Sequence, residues 1–172
     1  MKNRTALLQH FADLGFTTGA EIGVHRGTFS GRMLTMIPNL TLYAVDCWVG
    51  RYAKYEEAAR TSLAHHPKCT VIKGFSVDVA ETIPNGSLDF VYIDSNHFYE
   101  SVKEDIEAWA PKVRSGGIVS GHDYIAGRKT VQVIEAVDEY IKKNNLTLHL
   151  TDWDNDNPAN DERQPSWYFV KP

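Results

Sequence analysis

Glu21-Ile22-Gly23-Val24-His25-Arg26-Gly27, followed by Leu42-Tyr43-Ala44-Val45-Asp46, decides the fold. The first stretch reads as a strand that ends on a carboxylate, turns through glycine and opens a helix. The second is an apolar strand that also ends on an acid. Two neighbouring strand tips bearing carboxylates suit a ligand that carries a cationic group and a ribose diol.

Outward from this pair, the pattern alternates. Leu7, Phe11 and Leu14 recur at helical spacing and Gly15 stops that helix. Residues 20–24 form the first expected strand. A helix follows over Thr28 to Met36, ended by Pro38, and a strand over Leu40 to Val45. The later part of Trp48 to Ala64 is expected to be helical. Thr70 to Lys73 is a short strand and Val77 to Thr82 a short helix. Leu88 to Asp94 is a buried strand ending on an acid. Phe98, Val102, Ile106 and Trp109 mark one helix face, and Val133, Ile134, Val137, Tyr140 and Ile141 another. Gly117 to Ser120, Leu146 to Thr151 and Trp167 to Val170 are the remaining strands, the last two joined by a polar loop and free to pair as an antiparallel hairpin. Strands alternating with helices predict an α/β fold with a mostly parallel sheet covered on both faces. Ligands of such sheets sit beyond the carboxyl ends of the strands. Glu21, Asp46, Asp94, His122 and Asp123 all fall there.

Composition narrows the class. A chain of 172 residues, 42% hydrophobic and 23% charged, predicts one globular domain over residues 1–172. Net charge is −4 and pI about 5.9, so there is no broad basic footprint for nucleic acid. No apolar run approaches membrane-spanning length, and Met1-Lys2-Asn3-Arg4 opens no secretory signal. Cys47 and Cys69 read as two reduced thiols of a cytoplasmic protein. A homodimer is expected on the general frequency of symmetric pairs.

The motifs carry the chemistry. A nicotinamide fold would want Gly-x-Gly-x-x-Gly, but position 25 is histidine, and Glu21 would repel a pyrophosphate. That acid suits a sulfonium or ammonium instead. Asp46 follows Gly27 by 19 residues, a spacing that lets a carboxylate accept both ribose hydroxyls. S-adenosylmethionine (SAM) meets these demands. Gly74-Phe75-Ser76 could hold an adenine ring by stacking and hydrogen bonds, although core packing is the commoner fate of one aromatic. Asp94 and His97 share one strand end, and His122 and Asp123 another. His97 or His122 could act as general base, with Asp94 in the same catalytic group. Asp94, His122 and Asp123 could instead hold magnesium or another divalent cation. A helix cap at Asp94 and a turn at His122-Asp123 are the structural alternatives. Residues 152–157 mimic the start of a calcium loop but place Asn157 at its sixth position and Arg163 at its twelfth, and so read as a solvated acidic loop. His65-His66-Pro67 reads as a surface turn.

The ordered set Glu21-Ile22-Gly23, Gly27, Asp46, Ile93-Asp94, His97 and Gly121-His122-Asp123-Tyr124 resembles the class I SAM-dependent methyltransferases. It is most similar to a small-molecule O-methyltransferase branch that includes macrocin and cephalosporin-pathway enzymes. The resemblance implies a Rossmann-like, seven-stranded sheet in the order 3-2-1-4-5-7-6 with strand 7 antiparallel. It implies Glu21, Ile22 and Gly23 near the methionine part of SAM, with Gly27 in the same turn. Asp46 would bind the ribose, Gly74, Phe75 and Ser76 would flank adenine, and Asp94 would sit at the methionine end. Relatives often carry an acid or amide where His122 stands. Substrate closure falls to the loops after Asp46 and Tyr124 or to a second subunit. Trp48, Tyr52 and Tyr55 could line an aromatic acceptor pocket, and packing explains them equally well. The expected activity is methyl transfer to a hydroxyl of a small-molecule acceptor. The rival readings are a nicotinamide-dependent oxidoreductase and a catalytically silent SAM-binding module.

Overall fold

The computed structural model describes residues 1–157 and 163–172. Its core is a seven-stranded sheet in the order β3-β2-β1-β4-β5-β7-β6. The strands are β1 (Thr18–Ile22), β2 (Thr41–Asp46), β3 (Cys69–Lys73), β4 (Leu88–Ile93), β5 (Val113–Gly121), β6 (His149–Leu150) and β7 (Trp167–Val170). The helices are α1 (Arg4–Asp13), α2 (Thr28–Met36), α3 (Glu56–Leu63), α4 (Ser76–Thr82), α5 (Tyr99–Trp109) and α6 (Val133–Lys143). Strands β1 to β5 pair in parallel, and β7 runs antiparallel to both β5 and β6. This is the expected sheet, order included. The polar loop between β6 and β7 contains residues 158–162, which lie outside the described residues.

The alternation of side chains along β4 explains why the sheet needs helices on both faces. Phe90 and Tyr92 pack toward α1 and α2, with Leu7, Leu8, Phe11, Phe29 and Met33. Val91 and Ile93 pack toward α4, α5 and α6, with Val79, Ile106, Trp109 and Val137. Period-two alternation with both sides apolar gives the continuous hydrophobic run at residues 90–93. A third cluster joins Val24, Ala44 and Trp48 to Ala59 and Leu63 of α3.

Strand boundaries differ from the sequence expectation most clearly at β1, β5 and β6, the last being His149–Leu150 instead of Leu146 to Thr151. Strand β1 stops at Ile22 because Gly23 adopts φ +96°, outside the extended region. Strand β5 begins at Val113 rather than Gly117. Its register slips there, Leu88 pairing Val113 and Phe90 pairing Ile118, so two steps on β4 face five on β5. The bulged residues include Gly116 at φ +74°, and that Ser-Gly-Gly signal reads as a turn in one dimension.

Phe90 is fully buried and stacks on Phe11 at 4.6 Å between ring centroids. Truncation would leave a cavity at the centre of the sheet. Phe90→Ala should destabilise the fold by about 3–5 kcal/mol, read from urea unfolding with an unchanged slope.

Candidate active site at the carboxyl ends of the strands

The tips of the central strands are stitched together beyond the last regular residues. Gly23 N–H donates to Val45 O (2.9 Å), Asp94 N–H to Ile22 O (2.7 Å), Gly74 N–H to Asp46 O (3.0 Å) and His122 N–H to Ile93 O (3.0 Å). Gly23 carries the tightest contact. A Cβ there would lie 2.1 Å from Asp94 O, and its φ of +96° excludes ordinary side chains as well. Ile22 turns its side chain into the core, so only its main chain fronts the crevice.

Asp46 closes the first turn. Its Oδ2 accepts the His25 N–H (2.8 Å) and its Oδ1 the Trp48 N–H (2.8 Å). Trp48 donates its indole N–H to His25 O (2.8 Å) and is 1% exposed, so it is core and not an open acceptor wall. His25 takes φ +54°, a conformation usually left to glycine, and the Asp46 and Trp48 bonds hold it there. Gly27 starts α2 at φ +80°. Tyr52 and Tyr55 lie against the His25 ring on the outer rim.

Glu21 sits beneath this turn, 1% exposed, hydrogen-bonded to the Ser30 hydroxyl. Burial pushes its carboxyl up to about 8, with Asp94 adding to the rise and Ser30 opposing it. Arg4 comes from α1. It is 6% exposed, lies 4.4 Å over the Phe29 ring and places Nη1 3.3 Å from Asp94 Oδ2. Nothing near Arg4 in the sequence marks it as a site residue, because α1 reaches Asp94 only through the tertiary fold.

The loop after β3 divides its duties. Phe75 is 60% exposed at the start of α4 and free of the core. Ser76 turns inward, accepting the Trp109 indole N–H (2.8 Å) and bonding to Asp105. Asp105, 4% exposed, also bonds the Ser95 hydroxyl beside Asp94. Burial raises its carboxyl, with both serines opposing. Asp105 thus ties the loop after β3 to the loop after β4. In the sequence it is hidden as a polar residue on an otherwise apolar helix face.

The tips of β4 and β5 bring four polar side chains together. His97 Nε2 lies 2.9 Å from Asp123 Oδ2, off the line of a hydrogen bond, and 3.6 Å from Asp94 Oδ1. His122 Nδ1 lies 3.6 Å from Asp123 Oδ1 and 3.9 Å from Asp94 Oδ2. The Asp123 and Asp94 carboxylates push His97 up to about 10 against the effect of burial. Burial would raise Asp123, but His122 and His97 more than offset it and hold the carboxyl well below the usual range. The histidines differ in access. The His97 side chain is about one-third exposed and His122 is buried, while the Nε2 atoms of both are covered and without a hydrogen-bond partner among the described residues. Ligand atoms of Asp94, His97 and Asp123 all lie within 4.8 Å of one another, so His97, not His122, completes the closest candidate cation trio.

The loop at residues 152–157 is exposed as expected at residues 152, 153, 155 and 156, but not at Asp154. Asp154 is buried at 7% and accepts the Asn3 amide (2.7 Å), while Asp152 N–H donates to Met1 O (2.8 Å). The acidic pattern there fastens residues 1–3 to the loop. Among the described residues, no helix is long and apolar enough to cross a membrane.

A family model described as methyltransferase domain matches residues 20–124. The uncharacterized protein R132 of Acanthamoeba polyphaga mimivirus is 30% identical over 129 residues, covering 69% of this chain and 58% of that protein. The chain spans only 10% and 58% of the first two curated relatives it matches. An O-methyltransferase from Bacillus cereus in complex with SAH has a TM-score of 0.75 at 17% identity, covering 98% of this chain and 80% of its own. The O-methyltransferase TomG from Streptomyces achromogenes, involved in tomaymycin synthesis and solved with SAM, has a TM-score of 0.71 at 17% identity, with 98% and 80% covered. Both are likenesses of fold.

The raised Glu21 carboxyl links stability to pH. Native Glu21 keeps its proton up to about 8, whereas an unfolded one loses it near 4.5. The native state therefore binds the extra proton between these values, and stability falls as pH rises through that window and levels above it. Glu21→Gln should flatten this slope in denaturant titrations from pH 4.5 to 8.

Proposed function

We propose that this chain, which belongs to the methyltransferase domain family, moves a methyl group from SAM to a hydroxyl oxygen of a small-molecule acceptor. Its fold is that of the class I SAM-dependent methyltransferases. The observation that carries the reading is the gathering of Glu21, Asp46 and Asp94 at adjacent strand tips around a glycine turn that approaches Asp94 without a side chain between them. Glu21 is buried and keeps its proton up to about 8, so Asp46 and Asp94 supply the acidic side of that crevice, which suits a nucleoside with a positive sulfonium better than a pyrophosphate and weighs against the nicotinamide alternative.

In this reading, residues 1–172 act as one domain. Glu21, Asp94 and the main chain at Ile22 and Gly23 face the methionine part, and Gly27 lets the turn close. Asp46 takes the ribose hydroxyls. A carboxylate offers about four acceptor positions, and two are already used on the turn, leaving room for both hydroxyls. The exposed Phe75 ring, together with Gly74, flanks adenine, and Ser76 supports that loop from behind. When bound, SAM supplies a methyl group made electrophilic by its sulfonium.

His97 is the better placed base, because His122 is buried. Neutral His97 takes the acceptor's hydroxyl proton. Asp123 and Asp94 strengthen it as a base by favouring its protonated form, and the same preference makes the neutral form scarce at pH 7. Asp94 and Asp123 hold the ring, and His122 braces Asp123 from the buried side. A second reading rests on the trio of donor atoms. Asp94, His97 and Asp123 have the oxygen and imidazole donors of a magnesium or manganese site. Such an ion would lower the pKa of the acceptor hydroxyl, and Arg4 would compete with it for Asp94.

Calorimetry tests the first link. Asp46→Ala should weaken SAM by about 1.5–3 kcal/mol, the value of a charge-assisted hydrogen bond; unchanged affinity removes Asp46 from the ribose role. His97→Gln should leave SAM affinity intact and lower turnover by about a hundred- to ten-thousand-fold. Wild-type turnover that survives EDTA leaves proton removal to His97, and turnover lost to EDTA and restored by Mn2+ assigns the trio to a cation.

A further inference from the structure

The geometry points to an anion-binding rim, formed by Arg26, Arg51 and Lys54 with Tyr52 and Tyr55, that holds a phosphate-bearing part of the methyl acceptor. This inference rests on the transferase reading above and names the class of acceptor. The turn Gly50–Tyr55 follows directly from the β2 tip and contains no buried residue. It is joined to the glycine turn through His25, whose ring meets Tyr55 edge-on at 4.2 Å and Tyr52 at 6.1 Å.

Three cations converge on the two tyrosines. Arg26 lies 4.4 Å and the Lys54 ammonium 5.0 Å from the centre of the Tyr55 ring. Arg51 lies 4.9 Å over Tyr52 and donates to its hydroxyl at 2.8 Å. The rings themselves are 6.3 Å apart, so the cluster is continuous. Glu56, the nearest acid in the chain, is committed to Lys73 (2.5 Å) and Arg60 (3.0 Å). Among the described residues, Arg26, Arg51 and Lys54 rest on aromatic rings and make no ion pair with a carboxylate. In a chain of net charge −4, an exposed patch of three uncompensated positive groups is a local reversal of sign.

Two guanidinium forks and an ammonium match phosphate oxygens, and two tyrosine faces match a planar group. The patch begins at Arg26, on the turn that borders the crevice. A phosphorylated acceptor held there would lie with its anion on the rim and its body toward the site. Surface cation–π contacts alone would give the same resting arrangement, and binding separates the two cases.

Phenyl phosphate is the probe, titrated calorimetrically into the full chain already saturated with SAH, so that the cofactor crevice is blocked. Saturable binding is expected, weakening as salt is raised. The double variant Arg51→Ala/Lys54→Ala should lower affinity by about tenfold or more while its SAH affinity stays at the wild-type value. Arg26→Ala should act in the same direction. Wild-type protein that binds SAH but not phenyl phosphate overturns the inference and leaves the transferase reading standing. Equal binding by the double variant overturns it too. Failure to bind SAH removes both.

Discussion

The contact between Gly23 and the main chain of Asp94 is the constraint on which the site depends. Parallel strands β1 and β4 are already neighbours in the sheet, but their ends could diverge into separate loops. They do not, because Gly23 has no side chain to hold them apart and its φ of +96° turns the chain at once. The ladder bonds then continue past the strand ends into all the neighbouring tips. Chemistry gathered at one point of a parallel sheet follows from that continuity.

Bringing acids together has an electrostatic cost, and this chain meets it differently at each position. Glu21 is buried deepest and keeps its proton, with Ser30 as its hydrogen-bond partner. Asp46 stays at the surface of the turn and is satisfied by two main-chain N–H groups. Asp94 has the Arg4 guanidinium beside it, itself backed by Phe29. Asp123 has two histidines. Four carboxyl groups therefore occupy one region without four unbalanced charges, which no single compensating group could achieve.

Much of this was legible in the sequence, and the reasons are physical. Residues 90–93 and 42–45 declare themselves because strand segments buried on both faces are apolar throughout. The acids at their ends declare themselves because a charge at the end of such a run has to face outward into the crevice. What escaped the sequence depends on contacts between distant segments. Arg4 lies 90 residues from its partner Asp94. Asp105 joins Ser76 to Ser95 from the middle of a helix, where polarity looks like solvent exposure. The expected strand starts at Gly117 and misses residues 113–116, because a bulge uses the same glycines as a turn does. Asp154 looked solvated because nothing local shows that Asn3 will cover it.

The double grip of Asp46 on the main chain of His25 and Trp48 has a further consequence. The loop is fixed by an internal clamp and an indole wedge, so under the proposed ribose role it would need little ordering on binding. Association then has little backbone disorder to suppress, so more of the contact energy is retained as affinity. In the proposed ribose role, such rigidity would also narrow the range of sugars the turn can accept.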